Sequence, residues 1–201
     1  MVTSDKIIRN ALHRIIIAQH SQDRDTLIVH ELRVCQGEAR IDIALLNGTI
    51  NGYEIKSDHD DLSRLPAQIE VYRRVFDTIT VVSGLTHAAA VEACVPTWCG
   101  VYVARCSEDG SVSIEEVRRP AENPAIDPFS LAQFLWRDEL LTLLATYDLG
   151  KEAKKWPRFK LWRYVANSIP LDVLKAYVRD CLKKRQTWPS RALRMSGGGS
   201  Y

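Results

Sequence analysis

Ala39-Arg-Ile-Asp42-Ile-Ala-Leu-Leu46-Asn-Gly48-Thr-Ile50-Asn-Gly52-Tyr-Glu54-Ile-Lys56 is the stretch whose reading decides the fold. It holds two β-like runs, 39–46 and 50–56, around a Gly-containing turn. Successive side chains of a strand point to opposite faces, so the pairing register decides which residues meet. A two-residue turn at Asn47-Gly48 would set Ile41 opposite Glu54 and mix apolar with polar positions. A three-residue loop, Asn47 to Thr49, pairs Leu46 with Ile50, Ile43 with Tyr53, Ile41 with Ile55 and Asp42 with Glu54. The second register gives one apolar face and one face carrying Asp42, Glu54 and Lys56. It also sets Ala44 against Gly52, leaving room there for another element or a substrate backbone.

Two neighbouring carboxylates repel each other unless a cation lies between them. Oxygen-only ligands suit Mg2+ or Mn2+, which keep several waters and accept phosphate oxygens. Lys56, two residues from Glu54, would then serve a metal-activated water or the charge developing on a phosphate. An isolated E-x-K is usually a surface ion pair, so the surroundings carry the weight. In the following helix Leu65, Gln68, Ile69, Tyr72 and Phe76 share one stripe. Gln68 and Tyr72 on that stripe either point at the acidic face beneath or, with the helix rotated, bring Gln68 to the solvent boundary. Glu31, among β-branched residues, is either a third carboxylate of the site or a salt-bridge partner of Arg33 or Arg40.

Upstream, Ser4 can cap a helical pattern reaching His20, and a strand covers 26–34. Downstream the pattern predicts a helix over 61–76 with Pro66 in its first turn, a strand at 78–83, and a short helix at 87–93. Strands at 100–104 and 112–117 then flank a turn at 108–111. Three prolines within ten residues make 119–129 a linker. Helical periodicity returns at 130–147, 159–167 and 171–185. The expected organisation is therefore a core over 1–118, a linker over 119–129, a basic helical module over 130–195 and a flexible tail over 196–201.

The net charge of +2 over 201 residues conceals an asymmetry. Residues 1–150 carry 14 basic and 22 acidic side chains, and residues 151–201 carry 13 basic and 3 acidic, with Trp156, Trp162, Tyr164 and Trp188 interleaved. Such a tail is either a surface for a polyanion or a solvated helical face over core tryptophans. The candidate nucleic-acid contacts are Lys154, Lys155, Arg158, Lys160, Arg163, Lys183, Lys184 and Arg185. Hydrophobic residues form 46% and charged residues 26% of the chain, an ordinary globular composition.

No apolar run reaches the roughly 18 residues of a membrane span and no signal-peptide cleavage site is visible, so a cytoplasmic protein without a membrane partner is expected. Five cysteines without a C-x-x-C pair read as reduced, mostly buried thiols. Five histidines without metal-protease spacing disfavour zinc hydrolysis, and no phosphate loop is present.

Gly37-Glu-Ala-Arg-Ile-Asp42, Gly52-Tyr-Glu54-Ile-Lys56 and Gln68-x-x-x-Tyr72 together resemble the core of the PD-(D/E)XK nuclease superfamily, and more narrowly a small bacterial group with the phrase GYEIKSD. The resemblance spans about residues 25–85. It implies an α/β, restriction-endonuclease-like fold, a mixed central sheet flanked by helices. It implies a metal held by Asp42, Glu54, the Ile55 carbonyl and Glu31, with Lys56 serving the attacking water and Gln68 and Tyr72 orienting the site and the DNA. Ile41 stands where that superfamily's proline would be. The activity expected is Mg2+- or Mn2+-dependent hydrolysis of DNA, with RNA left open as substrate. The alternatives are a non-cleaving DNA-binding module and a partner-dependent subunit of a repair or defence complex. Whether it works as a homodimer or with a protein partner is left open.

Overall fold

The computed structural model describes residues 2–23, 25–185 and 192–194. In chain order the elements are α1 (Asp5–His20), β1 (Leu27–Val34), β2 (Ala39–Leu46), β3 (Ile50–Lys56), α2 (Leu65–Tyr72), β4 (Thr78–Gly84), α3 (Ala88–Cys94), β5 (Gly100–Cys106) and β6 (Val112–Arg118). Then come α4 (Pro128–Ala132), α5 (Arg137–Thr146), α6 (Arg158–Ser168), α7 (Leu171–Lys184) and the short β7 (Ala192–Arg194). The fold is mixed α/β. Six strands in the order β6-β5-β4-β3-β2-β1 form the sheet, and β7 adds to the β1 edge. The pairs β3–β4 and β4–β5 are parallel and the others antiparallel. Parallel neighbours need crossover connections, which α2 and α3 supply.

Helices cover both faces. Ile8, Leu12 and Ile16 of α1 pack on Ile28, Ile43, Leu45, Ile55 and Val82. The opposite face joins Leu27, Val29, Ala44, Leu46 and Ile50 to Leu65, Ile69 and Phe76. That same cluster continues through Leu131, Leu140, Leu161, Val165, Leu174 and Val178. The helices after residue 127 therefore extend the core of the body instead of enclosing a separate one. The stretch expected as a linker has no helix or strand from 119 to 127, but it is tied down along its length. Ala121 N donates to Trp98 O, Asn123 N to Asp77 O and Asp127 N to Arg74 O, while the Asn123 amide donates to Arg73 O and Phe76 O. Buried backbone carbonyls need donors, and this strap provides them for the end of α2 and the turn after it. Trp188 and the expected tail over 196–201 lie outside the described residues.

The three-residue loop register is the one observed: Leu46 faces Ile50, Ala44 faces Gly52 and Ile43 faces Tyr53. There the β2–β3 ladder ends, so the expected Ile41–Ile55 and Asp42–Glu54 pairs do not form. The break coincides with a change on the neighbouring strand. Glu31 adopts the left-handed conformation, φ 59°, and strict alternation fails at that point. Leu27 and Val29 before it, and Leu32 and Val34 after it, all enter the same core. On β2, likewise, Ile41 shares that core with Ala44 and Leu46, while Ile43 faces α1. Ile41 thus fills the space expected beside Gly52. A Cβ at residue 52 would meet Ile41 Cδ1 at 2.9 Å and Phe76 Cγ at 3.1 Å. Two smaller expectations also change. Ser4 precedes α1 without a side-chain cap, and among the five free cysteines only Cys99 is buried.

A candidate acidic site in an arginine-lined cleft

β3 and α2 together assemble the polar cluster. Positions 50, 52, 54 and 56 of β3 share the face covered by α2, so Glu54 and Lys56 lie beneath Gln68 and Tyr72. Both charged residues are buried, at 3% and 5% exposure. Burying a charge is unfavourable unless it is paired and hydrogen-bonded, and here every oxygen of Glu54 is engaged. Lys56 Nζ lies 2.8 Å from Glu54 Oε1 and donates at 2.9 Å to Gln68 Oε1. Gln68 Nε2 donates to Glu54 Oε1 at 2.7 Å. Tyr72 Oη lies 2.8 Å from both Glu54 Oε2 and the Arg40 carbonyl. The sequence alternatives for Gln68 resolve towards the acidic face.

Asp42 reaches the same cleft by a different route. With the ladder ended, its Oδ2 accepts a hydrogen bond from Ile55 N at 2.7 Å. Its Oδ1 accepts from Arg9 Nη2 of α1, also at 2.7 Å, and Arg9 Nη1 donates to the Asp42 carbonyl. Burial, and after it the nearby Asp42 charge, push the Glu54 carboxyl up to about 7 against the pull of Lys56. Burial and the Glu54 charge push the Tyr72 phenol up. Arg9 is held charged although burial opposes it, because its bonds to Asp5 and Asp42 outweigh that effect.

Glu31 lines the cleft but does not complete a three-carboxylate set. Its Oε2 pairs with Arg40 Nε at 2.6 Å and its Oε1 with Arg9 at 3.1 Å. Among the described residues no group of three or more His, Cys, Asp or Glu side chains is arranged to hold a metal ion. A hard cation would rest on Asp42 and Glu54. The only described Ile55 contact to this pair runs through its N–H.

The cleft holds about 1300 Å³ and is lined by Arg9, Arg33, Arg40, Arg64 and Arg74, none of which figured in the sequence reading as a substrate contact. One signal was available: Arg33 and Arg40 fall directly opposite each other on β1 and β2. Like charges so placed repel unless anions lie near. Of the eight basic residues expected to meet nucleic acid, Lys154, Lys155, Arg158, Lys160, Arg163 and Lys184 are exposed. Lys183 and Arg185 are not available in that way. Lys183 pairs with Asp25, and Arg185 pairs with Glu139, donates to Phe134 O and covers the Trp136 ring. Their side chains are 9% and 10% exposed.

The chain belongs to the family of bacteriophage P4 protein cII, whose family model matches residues 3–196. It is 30% identical over 125 residues to Protein cII of Enterobacteria phage P4, an alignment covering 62% of this chain and 47% of that protein. The chain thus spans about half the length of that curated relative. No solved structure matches it. The family match overturns the resemblance to the PD-(D/E)XK superfamily: it runs across nearly the whole chain, and no nuclease family is shown. The motifs behind that resemblance are a few residues each, too short to outweigh it. Among the described residues no helix is long and apolar enough to cross a membrane.

Proposed function

We propose that the cleft binds DNA and hydrolyses its phosphodiester bonds with the help of Mg2+ or Mn2+. The observation supporting this most directly is the buried Glu54–Lys56–Gln68–Tyr72 network beside Asp42 on the wall of a cleft lined by five arginines. The donor type suits a hard divalent cation, since Asp42 and Glu54 offer only carboxylate oxygens and Mg2+ takes one or two carboxylates, completing its shell from water and phosphate, but the ion would have to displace the Arg9 and Lys56 contacts these oxygens already make. Bound there, the ion would polarise the scissile phosphate and lower the pKa of water.

The chain's own residues do the rest. Gln68 and Tyr72 fix the orientation of Glu54 from both oxygens. Ile55 N–H and Arg9 fix Asp42. Lys56, held by Glu54 and Gln68, sets a positive charge where the phosphate's negative charge grows. Exposed Arg33 and Arg64 at the rim would take flanking phosphates.

A second reading has its own observation. Arg9 and Lys56 already neutralise Asp42 and Glu54 from within the fold, which suits a DNA-binding module that does not cut or that awaits a partner. Incubation of labelled single- and double-stranded DNA with Mg2+ or Mn2+, beside Lys56→Ala, separates the two. Metal-dependent cleavage lost in the variant supports hydrolysis. Metal-independent, salt-sensitive binding without cleavage by either protein supports the second reading.

A further inference from the structure

Next to the cleft mouth, α6 presents a ledge of rings and cations. Phe159 is 52% exposed. The Arg163 guanidinium lies 4.8 Å from its ring centroid, and Phe129 supports it edge-on at 5.4 Å. A half-exposed phenyl ring braced by a packed ring and a guanidinium is a fixed platform, because its rotamers are already restricted. One residue earlier, Arg158 donates to Gln36 Oε1 at 3.3 Å, and the Gln36 amide donates to Gln133 O. Gln36 directly precedes Gly37 and Glu38, which line the cleft. The ledge is therefore continuous with the cleft mouth, and exposed Lys154, Lys155 and Lys160 keep its surroundings positive.

We infer that this ledge receives an unpaired nucleic-acid strand running to the cleft, with phosphates against Arg158 and Arg163 and a base stacked on Phe159; the inference rests on the reading of the cleft as a nucleic-acid site. Charge complementarity alone would suit a duplex equally. The exposed ring decides otherwise. A duplex keeps its base faces inside the stack, whereas every unpaired base offers one to an aromatic side chain or a guanidinium plane. The contact reads no sequence, since each base has such a face.

The test is fluorescence anisotropy in EDTA with the full chain, using labelled oligothymidylate of about 20 nucleotides, oligouridylate of the same length and a DNA duplex. Phe159→Ala should weaken single-strand binding about tenfold, Phe159→Tyr should retain it, and duplex binding should stay within about twofold. Phe159→Leu keeps apolar volume against Phe129 without a π face. It should show the same loss, and serves if the alanine variant does not fold. A thymidylate or uridylate preference identifies the strand as DNA or RNA. Unchanged single-strand affinity in Phe159→Ala, equal losses on strand and duplex, or no single-strand binding by the unaltered chain would each overturn the inference. A Phe159-dependent affinity without any cleavage in Mg2+ or Mn2+ would then count against the hydrolytic reading of the cleft alone.

Discussion

The Arg9 guanidinium of α1 lies 2.7 Å from Asp42 Oδ1 and 3.1 Å from Glu31 Oε1, so a helix on one face of the sheet supplies the counter-charge to the acidic wall of the cleft. Arg9 also bonds Asp5 four residues earlier, which fixes its position on the helix. Removing it leaves Asp42 and Glu31 without that cation. Arg9→Gln is expected to lower stability by about 1–3 kcal/mol, a mostly but not fully buried pair being broken. Urea denaturation measures this, and an unchanged midpoint would show the pair to be neutral.

Tyr72 is fully buried and its hydroxyl sits 2.8 Å from Glu54 Oε2. Tyr72→Phe keeps the ring packed against Phe76 but leaves a buried carboxylate oxygen short of a partner. The expected loss is about 1–3 kcal/mol. Guanidinium denaturation at neutral pH reads it, with the retained ring packing separating hydrogen bonding from volume.

Glu54 is pushed up from an ordinary 4.5 to about 7 by burial first and Asp42 second. A raised carboxyl favours the protonated folded form, so its stabilising contribution is fully present below the unfolded value and is lost as pH rises through the folded one. The stability of the unaltered chain relative to Glu54→Gln should therefore fall between about pH 4.5 and about pH 7. Chemical denaturation across that window checks the sign, and a rising difference would refute it.

Gly52 has no room for a side chain above Ile41 and the Phe76 ring. Gly52→Ala should be destabilised by about 1–3 kcal/mol through overpacking, despite the better strand propensity of alanine. Ile41→Val with Gly52→Ala should recover part of the loss, because the contact at 2.9 Å involves the Ile41 Cδ1 that valine lacks. Thermal melting of the single and double variants decides it.

The basic residues of the C-terminal helices divide by their contacts. Lys154→Ala with Lys155→Ala should reduce the salt dependence of DNA binding by about 1–2 in the log–log slope, leaving the melting temperature nearly unchanged. Lys183→Ala should do the reverse, lowering the melting temperature while the slope holds, since Lys183 is committed to Asp25. Anisotropy titrations at several salt concentrations, beside melts, distinguish the two groups.

Much of this architecture is legible in the chain. The register of β2 against β3 follows from the apolar alternation around Asn47-Gly48-Thr49, and β2 and β3 fall on the expected residues. Gln68 and Tyr72 on an apolar stripe left two readings open, a polar target beneath α2 or a solvent boundary, and Glu54 with Lys56 is that target. The family is a different matter. Short motifs suggested one, and similarity over residues 3–196 identifies another, because a handful of polar residues constrains ancestry far less than a whole chain does.

Local patterning determined the strands, the loop, the face on which Glu54 and Lys56 lie and the charge asymmetry between the two ends, since each depends on residues a few positions apart. Only the tertiary structure decided where Asp42 goes. Glu31 adopts a left-handed conformation, the alternation of β1 and β2 changes beside it, and the β2–β3 ladder ends before Asp42 can face Glu54. Its carboxylate then meets Ile55 N–H and an arginine 33 residues away in the chain. The same holds for Lys183 and Arg185, basic in sequence but neutralised by Asp25 and Glu139 from distant segments. Charge and periodicity are properties of neighbours in the chain, whereas a counter-charge depends on which distant elements the core brings together.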